Sequence, residues 1–339
     1  MGTWHVPADV LADSGFAISP KAEVVAALGA LTLPRTPEER TFAAAHGAAW
    51  ASWLGEHPVA ADLVAASARP RGRGRVGWLA DFLCFPADVA EPTIEYEIDL
   101  LGRLSDEDIR ADLYETAQAP LPASLTAPGV RDVAVDLVRW IWTHTLETDW
   151  PRRLALLRAD IVARTAQLAR HGWSAVLRDL GRDTEWVGDG HLRINRYDLP
   201  ARNLDEGSRL VFVPTHGAGS WVGWHLDDDP RRYAIYYPLA GRLAGVGSAR
   251  AAGLAPLIGS NRATLLLLLD VPRSTSQLVA LSGLPLGSVS RHLRVLLDGG
   301  IVLRRRSGRE VLYWRTGLGD GLVAAGAPDR GRPPAQRQP

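Results

Sequence analysis

Between residues 260 and 316 the chain gathers nine arginines against three acids, a net charge of +6, on a framework of short apolar runs cut by glycine and proline. Those punctuation marks leave room only for short elements, and the apolar spacing between them dictates which kind each can be. Ser260 can cap a helix through 262–269, where five consecutive leucines suit an element covered on several sides. Ser274-Thr-Ser-Gln277 opens a second helix with Leu278 and Leu281 facing inward, and Gly283 ends it. Pro285 suits the first turn of a third helix, 285–298, on which Val289, Leu293 and Leu296 form a stripe at i, i+4, i+7. Gly299-Gly300 stops it, and 301–306 and 309–315 read as two strands joined at Ser307-Gly308.

Two short helices joined by a tight turn, with a polar outer face on the second, predict a helix-turn-helix followed by a wing. Its partner is expected to be double-stranded DNA. Ser288, Ser290, Arg291, His292 and Arg294 are placed for the major groove, with Arg291 the residue expected to read a guanine. Ser274, Thr275 and Ser276 are expected to hold a phosphate at a helix N-terminus. Arg304, Arg305, Arg306 and Arg309 are expected to cluster at the wing tip, against phosphates or a narrow minor groove.

In Ser290-Arg-His-Leu-Arg-Val-Leu296, Gly300-Ile301, Arg305-Arg-Ser-Gly-Arg309 and Val311-Leu-Tyr-Trp-Arg315, the last quarter of the chain resembles the ArsR-type winged-helix regulators. The whole chain is similar to a longer form of these, with an added N-terminal domain. The resemblance implies a homodimer that binds an operator and usually represses. Metal sensing in that family uses cysteine- or histidine-rich sites. This segment has no cysteine and only His292, so metal sensing is not carried over.

The remainder offsets the basic segment, because the 339 residues carry no formal net charge overall. Lys21 is the only lysine. Helices are expected over 20–31, 37–54 and 59–66, from Ser105 towards Thr116, and as two long helices over 128–181, the second opened by Pro151. The period then changes. Segments 184–187 and 191–196 flank Gly188-Asp-Gly190, and 209–214, 220–226 and 233–237 follow, predicting a small antiparallel meander. The fold class is therefore α+β: a mainly helical N-terminal region with a small antiparallel sheet, then a C-terminal winged helix-turn-helix domain. The expected divisions are a regulatory and dimerisation domain over 1–240, a linker over 241–253, the DNA-binding domain over 254–324 and a disordered tail over 325–339.

Other signals carry less. Gly72-Arg-Gly-Arg-Val-Gly77 has dinucleotide-fingerprint spacing, but Arg69-Pro70-Arg71 stands where a buried strand is needed. Gly217-Ala-Gly-Ser-Trp-Val-Gly223 is one residue too long for it. His216 and His225, with Asp227-Asp-Asp229 beside them, are the one arrangement that suggests a metal, and the single Cys84 reads as a packing residue. Trp50, Trp53, Trp140, Trp142, Trp173, Trp221 and Trp224 suit either core or the wall of an apolar pocket for a small-molecule effector. No cofactor is called for and no nucleophile–base pairing marks an enzyme. The longest aliphatic run falls far short of the ~18–20 residues a membrane span needs. With no export signal, the expected location is cytoplasmic. The alternative left open is an enzyme or ligand-binding protein whose winged helix is a tether or a protein-interaction module.

Overall fold

Helix caps set out the first half of the molecule. In the computed structural model Ser19 accepts from the Ala22 amide to open Pro20–Thr32, and Thr93 does the same for Ile94–Gly102 from the Tyr96 amide. Reciprocal capping boxes, Thr36 with Glu39 and Ser105 with Asp108, open Pro37–Glu56 and Asp106–Ala117. The structure describes residues 2–70, 76–178, 180, 184–194, 201–225, 231–239, 253–269, 272–282, 284–307 and 310–325. It divides into two units, Met1–Leu239 and Ala240–Pro339, and is mixed α+β throughout. Among the described residues no helix is long and apolar enough to cross a membrane.

In the first unit the helices bury Leu63, Leu101, Ile109, Leu113, Leu137, Val138 and Ile141 in one core. The expected pair of long helices is more broken than its apolar period suggests. Val130–Ile141 runs into a π-helical turn, Trp142–Leu146, and a short 3₁₀ turn before Trp150–His171 begins, with Pro151 in its first turn. Lys21 is buried: its Nζ donates to the Phe85 carbonyl at 3.0 Å and stands 3.2 Å over that ring. Glu97, equally buried, accepts from Ser19 Oγ and the Lys21 amide. Burial lowers the Lys21 amine to about 8, against the opposing pull of Glu97.

The strands do not form the expected antiparallel meander. Glu185–Gly188 and His191–Arg193 make the hairpin, with Gly188, Asp189 and Gly190 all at positive φ. That hairpin pairs with Thr3–His5, which lies parallel to Arg202–Asn203 on its other side. In a second sheet Arg209–Thr215 and Arg232–Pro238 are parallel neighbours. Gly15–Phe16 flanks the first of them and Trp221–His225 the second, the latter antiparallel. The chain thus skips a place after Arg209–Thr215 and returns to fill it, so sequential neighbours are not spatial ones. Trp4, Leu192, Phe212, Tyr233, Ile235 and Tyr237 form the core beneath.

The second unit is built from a helix over 253–258, Ser260–Leu268, a two-residue strand Arg273–Ser274, Thr275–Ser282, Leu286–Asp298, the strands Val302–Ser307 and Glu310–Arg315, and Gly317–Ala325. Glu310–Arg315 is the middle strand of an antiparallel sheet, between Arg273–Ser274 and Val302–Ser307. Leu265, Leu266, Leu269, Leu278, Val289, Leu293, Leu296 and Val302 close the core. Two boundaries differ from expectation. Gly259, at φ +83°, is the N-cap of Ser260–Leu268, with Ser260 inside the helix. Pro285 is the N-cap of Leu286–Asp298, its carbonyl accepting from the Ser288 and Val289 amides. Residues 241–252 of the expected linker, Gly283, Gly308 and the tail beyond 325 lie outside the described residues.

Candidate nucleic-acid interface

The helix Leu286–Asp298 separates its residues by chemistry. Val289, Leu293 and Leu296 are turned into the core, and Ser290, Arg291, Arg294 and Val295 are exposed. The side chains of Arg291 and Arg294 make no hydrogen bond or ion pair among the described residues, so their guanidinium donors face water. Ser288 is half-buried at the margin of this face. His292 is placed differently from the other four. It is half-buried, and its Nδ1 is buried without a partner, so part of the ring is turned from solvent rather than out to a groove.

The helix before it also departs from expectation. Ser274 is buried, its Oγ accepts from the Gln277 amide at 3.3 Å, and its own amide donates to Gln277 Oε1 at 2.8 Å. This reciprocal cap consumes the groups expected to hold a phosphate, so Ser274 is a structural residue. Thr275 is half-buried and Ser276 exposed, which leaves these two accessible at the same helix end.

On the strand Val302–Ser307, Arg304, Arg305 and Arg306 are all exposed. They do not share one face. Arg304 lies opposite Tyr313 and Arg306 opposite Val311, on the side that Val302 turns inward, whereas Arg305 lies opposite Leu312 with the exposed Leu303. Arg309 lies outside the described residues.

Three of the nine arginines face inward or serve as props. Arg273 is buried, Arg262 donates to the Ile258 carbonyl, and Arg315 pairs with Asp320 and donates to the Leu266 carbonyl. The outward charge among the described residues of the segment therefore rests on Arg291, Arg294, Arg304, Arg305 and Arg306, with Asp298 the exposed acid on the same helix. Leu286, 58 % exposed at the start of that helix, is the apolar side chain the periodicity did not single out.

The other motifs resolve into packing. His216 donates through its backbone N–H to Glu23 Oε1 at 2.7 Å and through Nδ1 to Oε2 at 2.8 Å, and Arg153 donates to the same carboxylate. Burial pushes the Glu23 carboxyl up, but His216 and Arg153 outweigh it and hold it at about 2. His225 lies edge-on to Phe85, and no group of three His, Cys, Asp or Glu suited to a metal occurs among the described residues. Residues 227–229 and 71–75 are not described. Cys84 is buried, and burial pushes its thiol well above the usual range. The tryptophans meet other rings: Trp53 stacks on Trp140 at 5.1 Å, Trp221 on Tyr236, and Trp173 packs on Phe16 and Phe212. No family model, curated protein or solved structure matches the chain.

Proposed function

We propose that the chain is a DNA-binding transcriptional regulator whose Ala240–Pro339 unit is a winged helix-turn-helix. The observation that carries this reading is Leu286–Asp298, a helix anchored by one apolar stripe that turns the exposed Arg291 and Arg294 outward, followed by a hairpin on which Arg304, Arg305 and Arg306 are exposed. A helix of this kind fits the major groove, where Arg291 can donate two parallel bonds to a guanine edge. Ser290, Ser288 and Arg294 flank that contact, and Ser276 and Thr275 face the backbone. Because Arg305 and the pair Arg304/Arg306 leave opposite faces of the hairpin, the wing can meet phosphates on both sides. A homodimer on a pseudo-palindrome, acting as a repressor in the cytoplasm, completes the proposal. The dimer and the repression rest on the family resemblance, and the location on the absence of an export signal in the sequence.

The test is binding of the purified protein to DNA from upstream of its own gene, measured by fluorescence anisotropy across salt. Arg291→Ala is expected to cost about 1–3 kcal/mol of discrimination at one base position while other sequences bind almost as before. Arg305→Ala is expected to weaken all sequences alike and to lower the salt slope by about 1. Unchanged binding in both variants, or none by the native protein, sinks the reading.

A further inference from the structure

Helices Ile94–Gly102 and Val130–Ile141 pack side by side in the first unit, and between their outer faces lies an open cavity of about 490 Å³. This is within the roughly 300–1,000 Å³ of small-molecule sites. Ile98, Gly102 and Val135 line it, together with Arg103, Arg131 and Arg139. Arg131, Val135 and Arg139 are four residues apart on one helix face, and Ile98 and Gly102 are four apart on the other, so the helical repeat itself assembles this wall.

The cations outnumber the acids in the lining, which are Asp99 and Asp132. Arg131 is held by Asp132 through Nε and Nη2, and Arg139 donates to Asp136, both near the surface where such pairs are weak. The Arg103 side chain makes no hydrogen bond or ion pair among the described residues. The backbone beneath is fixed in advance: Asp106 accepts from the Gly129 and Arg131 amides at 2.7 and 2.9 Å, pinning the start of the second helix. At Gly102 an added Cβ would meet nothing within 4 Å, so the glycine leaves open space beside the apolar residues of the lining.

We infer that this groove binds a small molecule carrying a phosphate and an apolar body. A carboxylate's two oxygens match the fork of one guanidinium, whereas a phosphate's three oxygens and higher charge can engage arginines from both helices at once. Ile98, Val135 and the space at Gly102 accommodate the apolar part. This inference concerns the first unit alone and stands apart from the DNA reading.

Calorimetric titration of the full chain with phenyl phosphate, inorganic phosphate, sulfate and phenol separates the contributions. Saturable binding of phenyl phosphate is expected, at least tenfold tighter than inorganic phosphate or phenol. Arg103→Ala should weaken it at least tenfold. Gly102→Leu should weaken phenyl phosphate and leave inorganic phosphate unchanged. Both variants alter accessible positions and should keep the native melting temperature and DNA affinity. No saturation, equal binding by both variants and the native chain, or indifference between phenyl phosphate, phosphate and sulfate (an adventitious ion only) would each overturn the inference.

Discussion

Asp81 shows how far one side chain's chemistry can be removed from its sequence context. Burial, then the neighbouring charges of Asp112 and Glu115, push its carboxyl up to about 7, and Asp112 itself is pushed to about 6 by burial. A carboxyl raised in the folded state favours the protonated form there, while the unfolded chain ionises near its ordinary value. The native state therefore loses stability as pH rises from about 4 through 7, and the full penalty is present at pH 8. Asp81→Asn is expected to stabilise the protein by about 1–3 kcal/mol at pH 8 and to change little at pH 4, measured by urea unfolding. An equal effect at both pH values would show that the ionisation is not the cause. Nothing in the sequence around Asp81 announces this, because Asp112 and Glu115 sit on another helix. Ser274 is the contrasting case. Its cap partner is three residues away, so the pairing with Gln277 was legible in Ser274-Thr-Ser-Gln277, although a phosphate role was assigned to it.

Elements formed by local rules were read well and elements formed by distant pairing were not. Helices opened by Ser105 and Thr36 depend on groups three residues apart, and the buried stripe of Leu286–Asp298 depends on a period of 3.6. The sheets depend on partners such as Trp4 and Leu192, nearly the length of a domain apart, and on strands of two or three residues too short to show alternation. The crossing of Trp221–His225 over Asp81–Cys84 is of this second kind. A Cβ at Gly223 would lie 1.8 Å from the Cys84 carbonyl oxygen, whose other contact is the Tyr236 hydroxyl at 2.7 Å. Gly223→Ala must push the strand off that helix, and a loss of about 3 kcal/mol or more is expected in chemical denaturation. A change below about 0.5 kcal/mol, the range of ordinary surface substitutions, would show that the two elements separate freely. In sequence, the same glycine looked only like the end of a glycine-rich stretch.

At the scale of the whole molecule, neutrality conceals a basic segment within one of two units that each close a separate core. Calorimetry of the full chain is accordingly expected to show two transitions. Adding its upstream DNA at about 100 times Kd should stabilise only the unit that binds it, by about 2.7 kcal/mol. One merged transition, or an equal shift of both, would count against independent units. The candidate interface was legible because the charges that make it lie within one short stretch of chain. The groove of Arg103, Arg131 and Arg139 was not, because its two walls come from helices separated in the chain by two others. A last property follows from Lys21, the chain's one lysine, sealed beneath Phe85. Acylating or cross-linking reagents aimed at ε-amines find no side chain to attack on the folded protein, and their reaction at Lys21 becomes a clock for the opening of its larger unit.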